Sequence, residues 1–394
     1  MREESVPPVP PRAAGLDAPS LLVPGNRRAF LARASMLSLA IPGVGAALLA
    51  CGTDRSGAGT DTSKAVHDTA RAGATPVPPG MQHNSDSRLD SAVLKNAPHG
   101  TTSAVVGTPP ASSNTPFHRL APELPVLPSG GLQRLHWHAK QVPVRITDDT
   151  VVAAWTFEGD VPGPFIHTRV GDTVEFTLTN DADIPHSMDF HAAQINPKVA
   201  FRSVAKGESV TFTFTPKYAG AFMFHCGTAP VLMHIGSGMY GAIIVSPAQP
   251  LAPAKEFVLV QSEFYLGDAV AGIRPFDYQK MLSTTPDFVC FNGRPNQYIK
   301  DPIRVKRGDR VRFWLVNAGP SHPCNFHVVG EQFDTVYLGA PPGTPIRGVQ
   351  TWDVPPGGGM CFELQCDVVG EFPFVNHGFG HGQKGGIGIL VVEP

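Results

Sequence analysis

Charge and cysteine are both scarce in this sequence, and each scarcity excludes something. Charged residues make up 16% of the 394 positions, with 31 basic against 33 acidic side chains. No extended basic patch is left to hold a nucleic-acid backbone. Six cysteines in a chain of this length do not make a disulfide framework. Cys226 reads best as a metal ligand, whereas Cys290, Cys324, Cys361 and Cys366 fit either buried thiols or one or two bridges. The apolar run over residues 36–50 falls short of the roughly 20 residues that span a bilayer.

That run follows Arg27-Arg28-Ala29-Phe30-Leu31 and resembles a twin-arginine export signal, although the stretch before Arg27 is long for one. It ends in Leu48-Leu49-Ala50-Cys51, which looks like a bacterial lipoprotein cleavage site. The expectation is an exported protein, periplasmic or at the cell surface, lipid-anchored through Cys51; simple cleavage near Ala50 is the alternative. Residues 1–51 are thus read as the export signal. Residues 52–131 are rich in Ala, Ser, Thr, Gly and Pro and cannot bury enough apolar surface to offset chain entropy, which predicts a disordered tether. His67, His83, His99 and His118 fall singly in it and read as solvated.

Beyond Leu132 the pattern turns to short β-rich runs separated by Gly, Pro, Asn and Asp, the mark of an all-β sandwich or barrel. Two runs repeat. Residues 169–180 (RVGDTVEFTLTN) are echoed by residues 306–317 (KRGDRVRFWLVN), and the pair His186 and His191 is echoed by His322 and His327. The chain therefore holds two copies of one β-domain, residues 132–248 and 254–394. Residues 220–227 align with 370–377, which puts Asn376 where the first copy has Cys226. Without a thiolate, the second copy cannot hold a blue copper.

The first copy gathers soft ligands. A blue-copper centre needs a thiolate, two imidazoles and a weak axial thioether. Cys226, His234 and Met239 supply three of these, and His186 is the candidate for the fourth. Successive strand residues face opposite ways, so if Cys226 points inward, His225 points outward. The same parity sends His191 and Asp189 outward, away from His186, provided that segment is extended. One residue step then joins an electron-receiving copper to a second metal, with a carboxylate beside the outward imidazoles for acid-base work. His136 and His138 share one face of an early strand and read as a surface stripe.

Residues from about 132 onward resemble the copper-containing nitrite reductases, through His186-Ser187-Met188-Asp189-Phe190-His191, His225-Cys226, Ala229-Pro230, Met233-His234 and Gly238-Met239-Tyr240-Gly241. The second copy adds Phe326-His327-Val328-Val329-Gly330-Glu331 and Val375-Asn376-His377. The resemblance implies two tandem cupredoxin-like Greek-key β-sandwich domains, a homotrimer, and two coppers per chain. Type 1 copper would sit at His186, Cys226, His234 and Met239. Type 2 copper would sit at His191 and His225 of one subunit with His377 of the next, leaving an open position for nitrite. Asp189 and His327 match the family's proton-handling pair, and Val329 its aliphatic pocket residue. Electrons from a small redox protein, a cytochrome c or a cupredoxin, would enter at type 1 copper and pass through Cys226 and His225. Nitrite would leave as nitric oxide, the chemistry of denitrification. The loop over residues 192–203 departs from the family's Gly- and Ala-rich segment, and His322 and His381, extra histidines near the site, have no clear family role and are read as supports behind the metal ligands. The alternatives are a two-domain multicopper oxidase reducing dioxygen, disfavoured by the lack of further His-x-His pairs, and a non-catalytic electron carrier with type 1 copper alone.

Overall fold

The computed structural model describes residues 115–394. The arginine pair, the apolar run, Cys51 and most of the expected tether lie outside the described residues. Those described are all-β with a few short helices.

Alternation builds the first sandwich. In Thr173–Asn180, Val174, Phe176, Leu178 and Asn180 are buried while the threonines and Glu175 stand out. The outward Thr177 hydroxyl meets that of Thr211 across the ladder at 2.8 Å. One sheet runs in the order Val151–Phe157, Leu132–Arg145, Thr173–Asn180, Ser209–Phe214; the facing sheet runs Ile166–Arg169, Tyr240–Ser246, Gly220–His225, Asp189–Phe190. Each contains a parallel pair formed by a crossover. Between them lies an aromatic core of Trp137, Phe157, Phe176, Phe190 and Phe224, which also encloses Cys226 and Met239.

The second sandwich repeats the plan with a six-stranded and a five-stranded sheet over strands from Lys255–Phe264 to Ile387–Glu393. Its core holds Phe313, Phe326, Phe362 and Phe374. The repeat seen in sequence is physical. Gly171 and Gly308 open equivalent turns at φ +90° and +89°, a conformation only glycine adopts without strain. Asn180 ends the strand that follows and Asn317 lies two residues before the end of Arg310–Gly319, both fully buried. Asn180 Nδ2 donates to the carbonyls of Ile184 and Val204, and Asn317 Nδ2 to those of His322 and Val354. A third core, with Ile244 and Ala221 from the first sandwich and Val258, Trp314 and Val316 from the second, fuses the two.

Residues 115–131, expected to belong to the tether, lie against the second sandwich instead. From Thr115 the chain lies along the body: Leu124 N donates to Glu256 O at 3.0 Å, Glu123 bridges Phe257, and Tyr298 Oη donates to Leu120 O at 2.9 Å. Arg119 pairs with Asp301 at 2.7 Å and lies over the Tyr298 ring. Docking here pairs main-chain groups with the start of Lys255–Phe264 and packs Leu124 on the core shared by the two sandwiches. His118 remains exposed. Cys290, Cys324, Cys361 and Cys366 are all buried free thiols, which settles their pairing.

Candidate metal centres

Three elements bring the first donor set together. Cys226 follows the strand Gly220–His225, His234 rides the short helix Val231–Gly236, and His186 enters through a bridge to Val204. Cys226 Sγ lies 3.2 Å from His234 Nδ1 and 3.9 Å from His186 Nδ1, and the two Nδ1 atoms are 3.2 Å apart. All three residues are buried. Met239, fully buried, is clamped between them by its backbone: its N–H donates to His234 O at 3.2 Å and its carbonyl accepts from Cys226 N at 3.0 Å. Ser187 N–H donates to Cys226 Sγ at 3.4 Å, and the Trp155 ring lies edge-on to His234 at 4.9 Å.

Burial dominates the electrostatics here. It pushes the Cys226 thiol up, against hydrogen bonds from Ser187 and Thr228 that favour the thiolate. It holds His186 down to about 3, aided by the facing His234, and His234 down to about 4. Both imidazoles are therefore neutral at pH 7, with both Nδ1 atoms converging on one sulfur. Three soft or borderline donor atoms gathered this closely suit a metal ion, and a thiolate with two imidazoles suits copper.

On the other side of the same strand end, His191 Nε2 and His225 Nε2 approach to 3.0 Å, with Asp189 Oδ2 at 4.0 Å from His225 Nε2. Adjacent residues thus face opposite ways, Cys226 into the core and His225 toward His191, as strand parity demands. The opposite nitrogens are tied back: His225 Nδ1 to Cys226 O at 2.9 Å and His191 Nδ1 to Gly357 O at 3.0 Å. A carbonyl can only accept, so both Nδ1 atoms carry the proton and both Nε2 lone pairs point outward, the usual outer support of a metal-binding imidazole. Burial lowers the His225 pKa, chiefly by desolvation. His191, Asp189 and His225 and the set His186, Cys226 and His234 are the two groups of three such donors found among the described residues.

His377 does not join either group. It stands exposed on the second sandwich, its ring 5.3 Å from that of His327 and 4.7 Å from Phe379. His327 Nδ1 donates to Gln350 O at 2.6 Å, and Val329 nearby is exposed. A cavity of about 620 Å³ beside His327 is lined by Glu331, Asp334 and Asp367. Burial and the two aspartates raise the Glu331 pKa. His322 and His381, read as possible supports of the site, face each other instead at 4.5 Å between rings. His136 and His138 stack at 5.0 Å and are engaged by Thr179 and Asp181, in keeping with a surface stripe. Sequence reasoning missed Ser187, Thr228 and Gly357, whose contributions are small hydroxyls or backbone groups that leave no residue-type signal.

Fold and donor sets together define a two-domain cupredoxin built to carry redox metal. Residues 138–250 match the family model for multicopper oxidases. A copper-containing nitrite reductase from Neisseria meningitidis serogroup A is 38% identical over 269 residues, 66% of this chain and 69% of that protein. The solved copper nitrite reductase of Nitrosomonas europaea is 34% identical, with a TM-score of 0.62 over 66% of this chain and 94% of that one. A solved multicopper oxidase is also similar, at 27% identity and a TM-score of 0.59. The chain belongs to the copper-containing nitrite reductase family, and is an oxidoreductase of that class.

Proposed function

We propose that this chain reduces nitrite to nitric oxide and water with one electron and two protons per turnover, using a type 1 copper held by His186, Cys226, His234 and Met239 and a type 2 copper held by His191, His225 and a neighbour's His377. The observation that carries this reading is the pair of donor sets set back to back through consecutive residues, Cys226 and His225. Bound copper supplies one-electron chemistry and a positive charge for the anion. The peptide between Cys226 and His225 joins the two sets covalently, which gives the electron a short path. Asp189, beside the outward imidazoles, and His327 hold the two protons that the departing oxygen needs. Val329, exposed two residues from His327, would supply an aliphatic wall at the copper, and the carboxylates lining the cavity beside His327 suit proton supply rather than entry of an anion.

One chain offers His191 and His225 on the first sandwich and His377 with His327 on the second. Head-to-tail association of unlike faces completes both, and closes into a ring when the rotation fits. A homotrimer with two coppers per chain is the assembly this reading requires. The export motif supports a location outside the cytoplasm, anchored at Cys51, where a cytochrome c or cupredoxin delivers electrons.

The test is anaerobic turnover of copper-loaded protein with a chemical reductant, following nitric oxide. Wild type is expected to release it, while His191→Ala and His377→Ala lose turnover and keep the blue absorption. Absence of nitric oxide from protein carrying two coppers per chain overturns the reading, as does loss of the blue band in either variant. One copper per chain would instead fit an electron carrier, and four a multicopper oxidase.

A further inference from the structure

The second sandwich retains the outline of the first one's thiolate pocket. Cys226 N donates to Met239 O, and Met239 N to His234 O; at equivalent places Asn376 N donates to Gly386 O at 2.9 Å, and Gly386 N to His381 O at 3.2 Å. These bonds pair Asn376 with Cys226, His381 with His234 and Gly386 with Met239. His381 also rides a short helix, Phe379–Gln383, as His234 does. His322 completes the match by standing at the place of His186, held through Asn317 as His186 is flanked by the Asn180 bonds. The thiolate and thioether are gone and both imidazoles remain. Their rings lie closer, 4.5 Å between centroids against 5.0 Å for His186 and His234.

The surroundings leave one nitrogen of each imidazole without a competing hydrogen bond. His322 Nε2 donates to Thr284 O at 2.8 Å, which puts the neutral ring's lone pair on Nδ1. Thr284 presents that carbonyl from a left-handed backbone, φ 54°, a costly conformation for a β-branched residue. Glu263 fixes the loop by accepting from the backbone N–H groups of Ser321 and His322. Asn376 Nδ2 lies 3.5 Å from His381 Nδ1, yet its two protons go to Gln261 Oε1 at 2.7 Å and Pro323 O at 3.0 Å. Asn376 therefore leaves His381 Nδ1 uncommitted. Burial, His322 and Lys384 lower the His381 pKa, which favours the neutral, metal-binding form.

We propose that His322 and His381 form an additional metal site in the second sandwich, for a divalent ion of borderline softness such as Zn²⁺, with water completing the shell. Two imidazoles without a sulfur ligand exclude blue-copper chemistry and suit Zn²⁺, Ni²⁺ or Cu²⁺. Two protein ligands make the site weaker than the donor sets of the first sandwich, and Lys384 nearby weakens it further. The site uses no residue assigned above to the nitrite chemistry.

Copper-loaded protein titrated with Zn²⁺ alone tests this, with bound metal counted after dialysis and the type 1 and type 2 copper signals monitored throughout. Wild type is expected to take up one Zn²⁺ per chain beyond its copper, and His322→Gln and His381→Gln each to weaken that uptake by roughly tenfold or more. X-ray absorption at the zinc edge is expected to show imidazole scattering. Absence of zinc beyond the copper complement, zinc uptake that survives in both variants, or a zinc shell without imidazole overturns the proposal.

Discussion

His186 and His234 make the copper-free protein acid-sensitive. Burial drops their folded pKa values to about 3 and about 4, from an ordinary 6.5. Between those limits the unfolded chain binds protons that the folded chain refuses, so stability is whole above pH 6.5 and falls as pH drops through the window. Each group contributes a slope of about 1.4 kcal/mol per pH unit across its window. The melting temperature of copper-free protein should therefore fall steadily from pH 7 to pH 4, and His186→Asn should flatten that fall by about one proton. An unchanged slope in the variant would place the sensitivity elsewhere. At this scale the donor set was legible because Cys226 and His225 are adjacent and a strand sends neighbours to opposite faces. The Gly357 carbonyl that orients His191 was not, since every residue carries a carbonyl and 166 positions separate the partners.

Short helices and strand ends set the candidate ligands, and their fit is tight where a side chain is missing. A Cβ on Gly236, in the helix that carries His234, would lie 2.6 Å from Met281 Cε and 2.7 Å from its Sδ. Met281 is buried in the core shared by both sandwiches, on the helix Tyr278–Leu282. Gly236→Ala should cost about 1–3 kcal/mol by overpacking and shift the blue absorption, because His234 moves with its helix. Adding Met281→Ala should return the absorption toward wild type; a double variant as displaced as the single one would show that Met281 is not the obstacle. Element types were readable from alternation, as in Thr173–Asn180, where every second residue is buried. Docking of the chain from Thr115 was not readable, because edge pairing spends backbone groups that composition does not reveal.

For the whole molecule, a type 2 site shared between neighbours predicts rescue between two dead proteins. His191→Ala chains keep His377, and His377→Ala chains keep His191 and His225. Unfolded together and refolded in equal amounts, they should regain about a quarter of wild-type turnover, the share of interfaces at which both intact halves meet in a head-to-tail ring. Each protein refolded alone should stay inactive. If the mixture also stays inactive while assembling to wild-type size, the third imidazole does not come from a neighbour. The repeat that makes such pairing conceivable was visible in the sequence, in residues 169–180 and 306–317, whereas the angle between the copies was not, because it depends on the core that Trp314 and Ile244 share.

The hold of Gly357 on His191 has an engineering consequence. An imidazole of one sandwich takes its tautomer from a main-chain oxygen of the other. Chimeras that import only one sandwich from a relative would inherit a ligand whose steadying partner evolved elsewhere, so exchange between family members should succeed only when both halves travel as a unit.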